Sequence, residues 1–153
     1  MIGKKPVNRP EHARNRFLKS MNCSQAVVET YAPSLGMTIE QARRVAAAFA
    51  GGMGMGSECG AITGALMVIG LKYGKTLDSD SQANVETFKY VATFINAFKA
   101  RHKHLSCSGL LESEMWTPEG INNAAEKGYF TTRCPEYVKS AAEILDKIFD
   151  KDK

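Results

Sequence analysis

The chain has 153 residues, a mass of 16.7 kDa and a formal net charge of +4 at pH 7. A chain of this length can bury a hydrophobic core as one domain without disulfide crosslinks. Its basic residues are spread out, and no apolar run reaches the roughly 18 residues that a spanning helix needs, which argues against nucleic-acid binding and against a transmembrane segment.

The amino-terminal ten residues are polar and basic, and no apolar segment typical of a secretory signal follows them. We therefore expect a cytoplasmic protein, in a compartment where cysteines are kept reduced. Its four cysteines are accordingly not expected to serve only as structural disulfides. We expect one domain over residues 1–153, with flexible ends at 1–10 and 151–153.

Helical periodicity runs through almost the whole chain, and no alternating strand pattern interrupts it. Capping signals support several of the predicted starts, such as Asn22 followed by Gln25, Thr38 followed by Gln41, and Thr117-Pro118. The sequence predicts an all-α protein, a bundle of about five to seven helices. In chain order the predicted helices cover residues 11–32 with a break near 20–22, 38–50, 57–73, 78–104, 106–111, 117–128 and 135–150.

Every cysteine falls in or beside the first turn of a predicted helix. Free backbone N–H groups and the positive end of the helix dipole lower the pKa of a thiol at such a position. Each cysteine also continues an apolar stripe and should point toward the core. We therefore expect thiols from separate parts of the chain to converge on one site: Cys23, Cys59, Cys107 and Cys134.

A glycine-rich segment, residues 51–56, leads into the third predicted helix and permits backbone conformations that other residues avoid. Within that helix Gly60 and Gly64 lie four residues apart, and each costs about 0.5–1 kcal/mol relative to alanine. We expect these two glycines to allow close approach of another backbone, a cofactor or a partner thiol. Met53 and Met55 are expected to line a pocket beside the second cysteine.

Residues 59–64 read Cys-Gly-Ala-Ile-Thr-Gly, a CGAxxG motif. With Asn22-Cys23-Ser24-Gln25-Ala26 upstream, and Cys107 and Arg133-Cys134-Pro135 downstream, the chain resembles the four-cysteine CGAxxG family (C_GCAxxG_C_C) of redox-active proteins. The resemblance covers residues 17–149 and implies a helical protein with a redox role, but no particular substrate. The positions that match the family are Cys23, Cys59, Cys107 and Cys134, with Gly60, Ala61 and Gly64 in the central motif.

Two redox hypotheses are compatible with the sequence. In the first, the thiolate of Cys59 attacks a disulfide, and one of the other three cysteines resolves the mixed disulfide. In the second, all four cysteines ligate an iron–sulfur cluster or a zinc ion. The residues expected to border a bound cofactor are Gly56, Gly60, Ala61 and Gly64.

A third hypothesis is a non-enzymatic helical domain that binds a partner and whose cysteines are inert core residues, because free cysteine is often buried.

His104, three residues before Cys107, is a candidate base or ligand, although a solvent-facing position is the stronger expectation. His12 is expected to be exposed. The sequence names no redox partner, and a homo-oligomer is compatible with it.

Overall fold

A computed structural model describes residues 7–152 of the chain. Within this range there is no β-strand, and the predicted all-α class is confirmed. Seven helices have eight residues or more, in agreement with the expected number, while α6 and α8 are single turns. The helices are α1 (Arg9–Ser20), α2 (Cys23–Tyr31), α3 (Ile39–Ala46), α4 (Gly60–Tyr73), α5 (Ser81–His102), α6 (Cys107–Leu110), α7 (Pro118–Glu126), α8 (Tyr129–Thr132) and α9 (Cys134–Lys151).

The predicted capping residues begin the helices as expected. The side chain of Asn22 accepts a hydrogen bond from the backbone N–H of Gln25 at 3.0 Å, and Met21 before it adopts a left-handed conformation that ends α1. Thr38 and Gln41 form a reciprocal capping box at α3. Side-chain caps of this kind satisfy N–H groups that a helix leaves unpaired, so they fix where each helix begins.

The hydrophobic core lies where α2 packs between α1 and α4, and where α9 packs against α1, α2, α4 and α5. Close approach of α2 and α4 depends on Gly64, because a Cβ atom at this position would lie 2.9 Å from the carbonyl oxygen of Ser24. The expectation that this glycine permits close backbone approach is confirmed. The largest fully buried side chains include Tyr31, Phe94, Phe98, Ile62, Ile69 and Leu145.

A buried carboxylate joins three helices beside this core. The side chain of Glu29 in α2 is only 3% exposed and forms ion pairs with Arg16 of α1 and Arg43 of α3. Because an unpaired buried charge is strongly unfavourable, both arginines are needed to compensate the carboxylate. The pairs hold α1 and α3 against α2, whose first residue is a cysteine of the candidate site.

Several predicted boundaries differ from the observed ones. Helix α4 begins at Gly60 rather than near Ser57, because Glu58 forms an isolated antiparallel bridge with Ser106. The single turn α8 was not predicted. Residues 9, 10 and 151 belong to helices, while residues 1–6 and 153 lie outside the described range, and the expected flexibility of the chain ends stays a prediction.

None of the helices in residues 7–152 is both long and apolar enough to span a membrane.

Candidate redox site

All four cysteines line one cavity of about 260 Å³. All four are free thiols, with Cys59 and Cys107 buried and Cys23 and Cys134 partly buried. The predicted convergence of thiols from distant parts of the chain is therefore confirmed. The remaining lining residues are Phe17, Met21, Ala50, Gly51, Leu110, Leu111, Met115, Phe130 and Tyr137.

Helix starts supply the cysteines, as the sequence predicts. Cys23, Cys107 and Cys134 are the first residues of α2, α6 and α9, and Cys59 immediately precedes α4. Side chains in the first turn of a helix tilt toward its amino-terminal end, so each cysteine projects from the end of its helix. Four helix ends that meet at one place can therefore present four sulfurs to one cavity.

Two backbone hydrogen bonds tie Cys59 to Cys107. The N–H of Cys59 donates to the carbonyl oxygen of Leu105 at 2.8 Å. The N–H of Cys107 donates to the carbonyl oxygen of Ser57 at 2.6 Å. These bonds flank the bridge between residues 58 and 106. The start of α4 is thus held beside the start of α6, although the two cysteines are far apart in sequence.

Gly60 makes room for the sulfur of Cys23. A Cβ atom at position 60 would overlap Cys23 Sγ and would lie 3.1 Å from Ala50 Cα. No other residue type would allow the sulfur to sit against the start of α4, beside Cys59. The expectation that this glycine accommodates a partner thiol is therefore confirmed.

The electrostatics of the site favour ionisation of Cys23. A hydrogen bond with the Cys59 side chain lowers the pKa of Cys23 from its ordinary 9.0 to about 7, against the opposing effect of burial. Backbone N–H groups of Gly51 and Ser24 also lower this pKa. Hydrogen bonds to the charged form stabilise it, so Cys23 is the thiol that ionises near neutral pH.

The other three thiols are harder to ionise. The hydrogen bond with Cys23, together with burial, raises the pKa of Cys59 well above its ordinary value. Burial raises the pKa of Cys107 to about 11 and that of Cys134 to about 12, with a further contribution from the charge of Cys23. The expectation of lowered pKa values at all four helix starts is wrong for these three: at Cys59 the interaction with Cys23 raises the pKa most and burial adds to it, and at Cys107 and Cys134 burial is the main cause.

The glycine-rich segment forms a tight turn, in which Gly51, Gly52, Gly54 and Gly56 have positive φ angles. Two of these positions matter for the site. Gly51 directs its N–H toward the sulfur of Cys23, and a Cβ at Gly56 would overlap Ser108 Oγ beside α6. The segment therefore packs closely on the site.

The expectation for Met53 and Met55 is wrong, since neither lines the cavity and Met55 is 60% exposed. The methionines that do line the cavity are Met21, in the left-handed position after α1, and Met115. Helical periodicity gives no signal for either residue, because both lie outside the helices.

The residues expected to border a cofactor are packed against the protein itself. Gly60 faces Cys23, Gly64 faces α2, Gly56 faces Ser108, and Ala61 is fully buried. A cofactor-binding role for these residues stays a prediction. The structure shows instead that they bring α2, α4 and α6 close enough together for their cysteines to meet.

Within residues 7–152, no group of three or more His, Cys, Asp or Glu side chains is arranged to hold a metal ion. Ligation by Cys23, Cys59, Cys107 and Cys134 stays a prediction. His104 and His12 are both exposed, as expected, and neither lines the cavity.

The apolar wall around the sulfurs was predicted only in part. Leu110 and Tyr137 continue the apolar stripes of Cys107 and Cys134, as the sequence indicates, and both line the cavity. Phe17 and Phe130 reach the cavity from α1 and α8, and nothing in their local sequence points to it.

The model of one protein family, C_GCAxxG_C_C, described as "Putative redox-active protein", matches residues 21–148. The chain belongs to this family. The match includes all four cysteines that line the cavity. The family name writes the central motif as Gly-Cys-Ala-x-x-Gly, whereas this chain has Cys-Gly-Ala-x-x-Gly at residues 59–64. Searches of curated proteins and of solved structures found no match.

Proposed function

We propose that this protein carries out thiol–disulfide exchange, with Cys23 as the attacking thiolate and Cys59 as the resolving thiol. The observation that carries the proposal is the position of Cys23 Sγ against Gly60, next to Cys59, where the interaction of the two side chains lowers the pKa of Cys23 and raises that of Cys59. A thiolate is the nucleophile in exchange, and an attacking thiol is most effective when its pKa lies near the ambient pH.

The reaction consumes one disulfide, RSSR, and two protein thiols. The Cys23 thiolate attacks one sulfur of RSSR and forms a mixed disulfide, and the departing thiolate takes the proton of Cys59 to leave as RSH. The Cys59 thiolate then attacks the Cys23 sulfur and releases the second RS⁻, which takes a proton from water. The substrate gains two electrons, and the protein keeps a disulfide between residues 23 and 59.

These roles differ from those suggested by the sequence, which favoured Cys59 as nucleophile. Burial and the hydrogen bond with Cys23 disfavour the thiolate of Cys59, while its place beside the Cys23 sulfur suits a resolving thiol. Cys107 and Cys134 stay reduced in this step because burial raises the pKa of each. We place the reaction in the cytoplasm, where a dithiol reductant would regenerate the starting thiols.

Thiol counting after oxidation tests the proposal. The reduced protein is treated under anaerobic conditions with one equivalent of a small disulfide, and its thiols are counted by alkylation and intact mass. The wild type should fall from four thiols to two. Cys59→Ser should accumulate a mixed disulfide on residue 23, and Cys23→Ser should lose no thiol.

Cys107→Ser and Cys134→Ser are the matched controls, and each should still lose two thiols. A wild type that keeps all its thiols would contradict the proposal, and so would a Cys23→Ser variant that loses two. The first of these results would favour the hypothesis of inert cysteines in a partner-binding domain. Analysis of metal and sulfide content in the same anaerobic preparation tests the cluster hypothesis separately.

A further inference from the structure

We infer that the substrate of the redox site is a small, uncharged disulfide with apolar substituents. The inference rests on the proposed function, since it specifies what Cys23 attacks. The evidence is the composition of the cavity wall. The wall lacks the charged side chains that a site for a charged thiol compound would need.

The cavity wall is apolar on every side of the sulfurs. Within residues 7–152, no Lys, Arg, His, Asp or Glu side chain lines it. A carboxylate or ammonium group entering the cavity would lose its hydration without gaining a partner, and this desolvation is strongly unfavourable. The side chains that would contact a substrate beside the cysteines are Phe17, Met21, Leu110, Leu111, Met115 and Phe130.

The polar groups at the edge of the cavity already have partners. The hydroxyl of Tyr137 donates to the carbonyl oxygen of Leu110 at 3.1 Å. Arg133, next to Cys134 in sequence, donates to the same oxygen at 3.2 Å, and its guanidinium stacks over the ring of Tyr129. This arginine is therefore engaged outside the lining of the cavity and is not placed to bind a substrate carboxylate.

The volume sets the size of the substrate. An apolar cavity of about 150 Å³ holds one benzene molecule, and the cavity here is about 260 Å³. It can accept a disulfide with short alkyl or aryl groups, whereas a peptide-sized thiol compound would extend into solvent. Most of such a small substrate would contact protein, as is usual for small-molecule sites.

Met21 marks the entrance. It follows the last residue of α1, has a φ angle of 55° and is 50% exposed although it lines the cavity. Cys23, two residues later, is partly buried. A disulfide entering past the Met21 side chain would therefore meet the thiol of lowest pKa.

Two disulfides of nearly equal size test this inference. Dipropyl disulfide is uncharged, and 3,3′-dithiodipropionate carries a carboxylate on each three-carbon arm. The rate at which each oxidises the reduced wild type is divided by its rate with free 2-mercaptoethanol, which removes differences in intrinsic reactivity. We expect the normalised rate to be about tenfold or more higher for dipropyl disulfide, because the carboxylates would have to be desolvated.

Substitutions of Met21 test whether the charge at the entrance sets the preference between the two disulfides. Met21→Lys places a cation at the rim and should shift the ratio of the two normalised rates toward dithiodipropionate by about fivefold or more. Met21→Leu keeps the apolar character and should leave the ratio unchanged. The ratio is informative because a general change in Cys23 reactivity affects both substrates equally.

Equal normalised rates, or a faster reaction of dithiodipropionate with the wild type, would overturn the inference and leave the proposed function intact. An unchanged ratio in Met21→Lys would overturn the assignment of the entrance. If neither disulfide oxidises the wild type, the proposed function itself fails, so the two failures are distinguishable.

Discussion

The sulfur of Cys23 lies against Gly60, directly beside Cys59 in sequence. The interaction of the Cys23 and Cys59 side chains makes the two cysteines chemically unequal, because it lowers the pKa of Cys23 and raises that of Cys59. At pH 7 about half of the molecules therefore carry a negative charge on this pair, and that charge is centred on Cys23. An exposed pair of identical thiols would show no such difference.

The pH dependence of alkylation should reveal the lowered pKa of Cys23. A thiolate with a pKa of about 7 is half formed at pH 7, so the rate should rise up to that pH and level off above it. An ordinary thiol would keep rising until about pH 9. The measurement is the iodoacetamide rate at residue 23 from pH 5 to 10, followed by peptide mass spectrometry.

The same profile in Cys59 variants tests the cause of the shift. Cys59→Ala removes the donor and should move the midpoint for Cys23 upward by about one pH unit or more, because a hydrogen bond to the thiolate is lost. Cys59→Ser keeps an O–H donor and should move the Cys23 midpoint by a smaller amount. A midpoint that is the same in the wild type and the alanine variant would show that the backbone N–H groups alone lower the pKa.

The four cysteines should react with alkylating reagents in a defined order. At pH 8, Cys23 should be modified more than about tenfold faster than Cys107 or Cys134, because burial raises the pKa of both and limits access to them. Unfolding in guanidinium should bring the four rates within a factor of about three. Equal rates in the native protein would mean that the site does not distinguish its thiols.

Gly60 should not tolerate a side chain. Gly60→Ala would force the new Cβ into Cys23 Sγ and should lower the free energy of unfolding by about 1–3 kcal/mol, the usual cost of overpacking. It should also slow the alkylation of Cys23, because the sulfur must move. Denaturant unfolding and alkylation rates measure the two effects.

Gly70→Ala is the matched control on the same helix. No atom lies within 4 Å of a Cβ at Gly70, which is exposed, so alanine there should stabilise α4 by about 0.5–1 kcal/mol through helix propensity. If both variants were equally stable, the cost at Gly60 would not come from contact with the cysteine.

The buried carboxylate of Glu29 should be needed for stability but not for the chemistry. Glu29→Gln leaves Arg16 and Arg43 without their anion and should lower the free energy of unfolding by about 1–3 kcal/mol, since both arginines are partly exposed to solvent. Glu40→Gln breaks an exposed ion pair with Arg44 and should change the free energy of unfolding by less than about 1 kcal/mol. Equal effects in denaturant unfolding would contradict the role assigned to burial.

The sequence predicts much of this fold because its signals are local. Asn22, Thr38 and Thr117 cap helices in the structure as their positions indicate. The cysteines could be assigned to helix starts for the same reason. Their convergence followed from the apolar stripes they continue, which point them toward the core.

The differences among the cysteines could not be predicted, since they depend on contacts between distant segments. The pKa of Cys23 is set by Cys59 and by the N–H of Gly51, which lie 36 and 28 positions away in sequence. The bridge between Glu58 and Ser106, which delays the start of α4, joins residues 48 positions apart. No local pattern encodes such pairings.

Mapping the disulfide formed on oxidation tests the reactive pair most directly. The reduced protein is oxidised by one equivalent of a small disulfide, quenched in acid, alkylated and digested, and the linked peptides are identified by mass spectrometry. We predict a link between the peptides that contain Cys23 and Cys59, with Cys107 and Cys134 recovered alkylated. A first-formed link between Cys107 and Cys134, with Cys23 still a free thiol, would contradict the account.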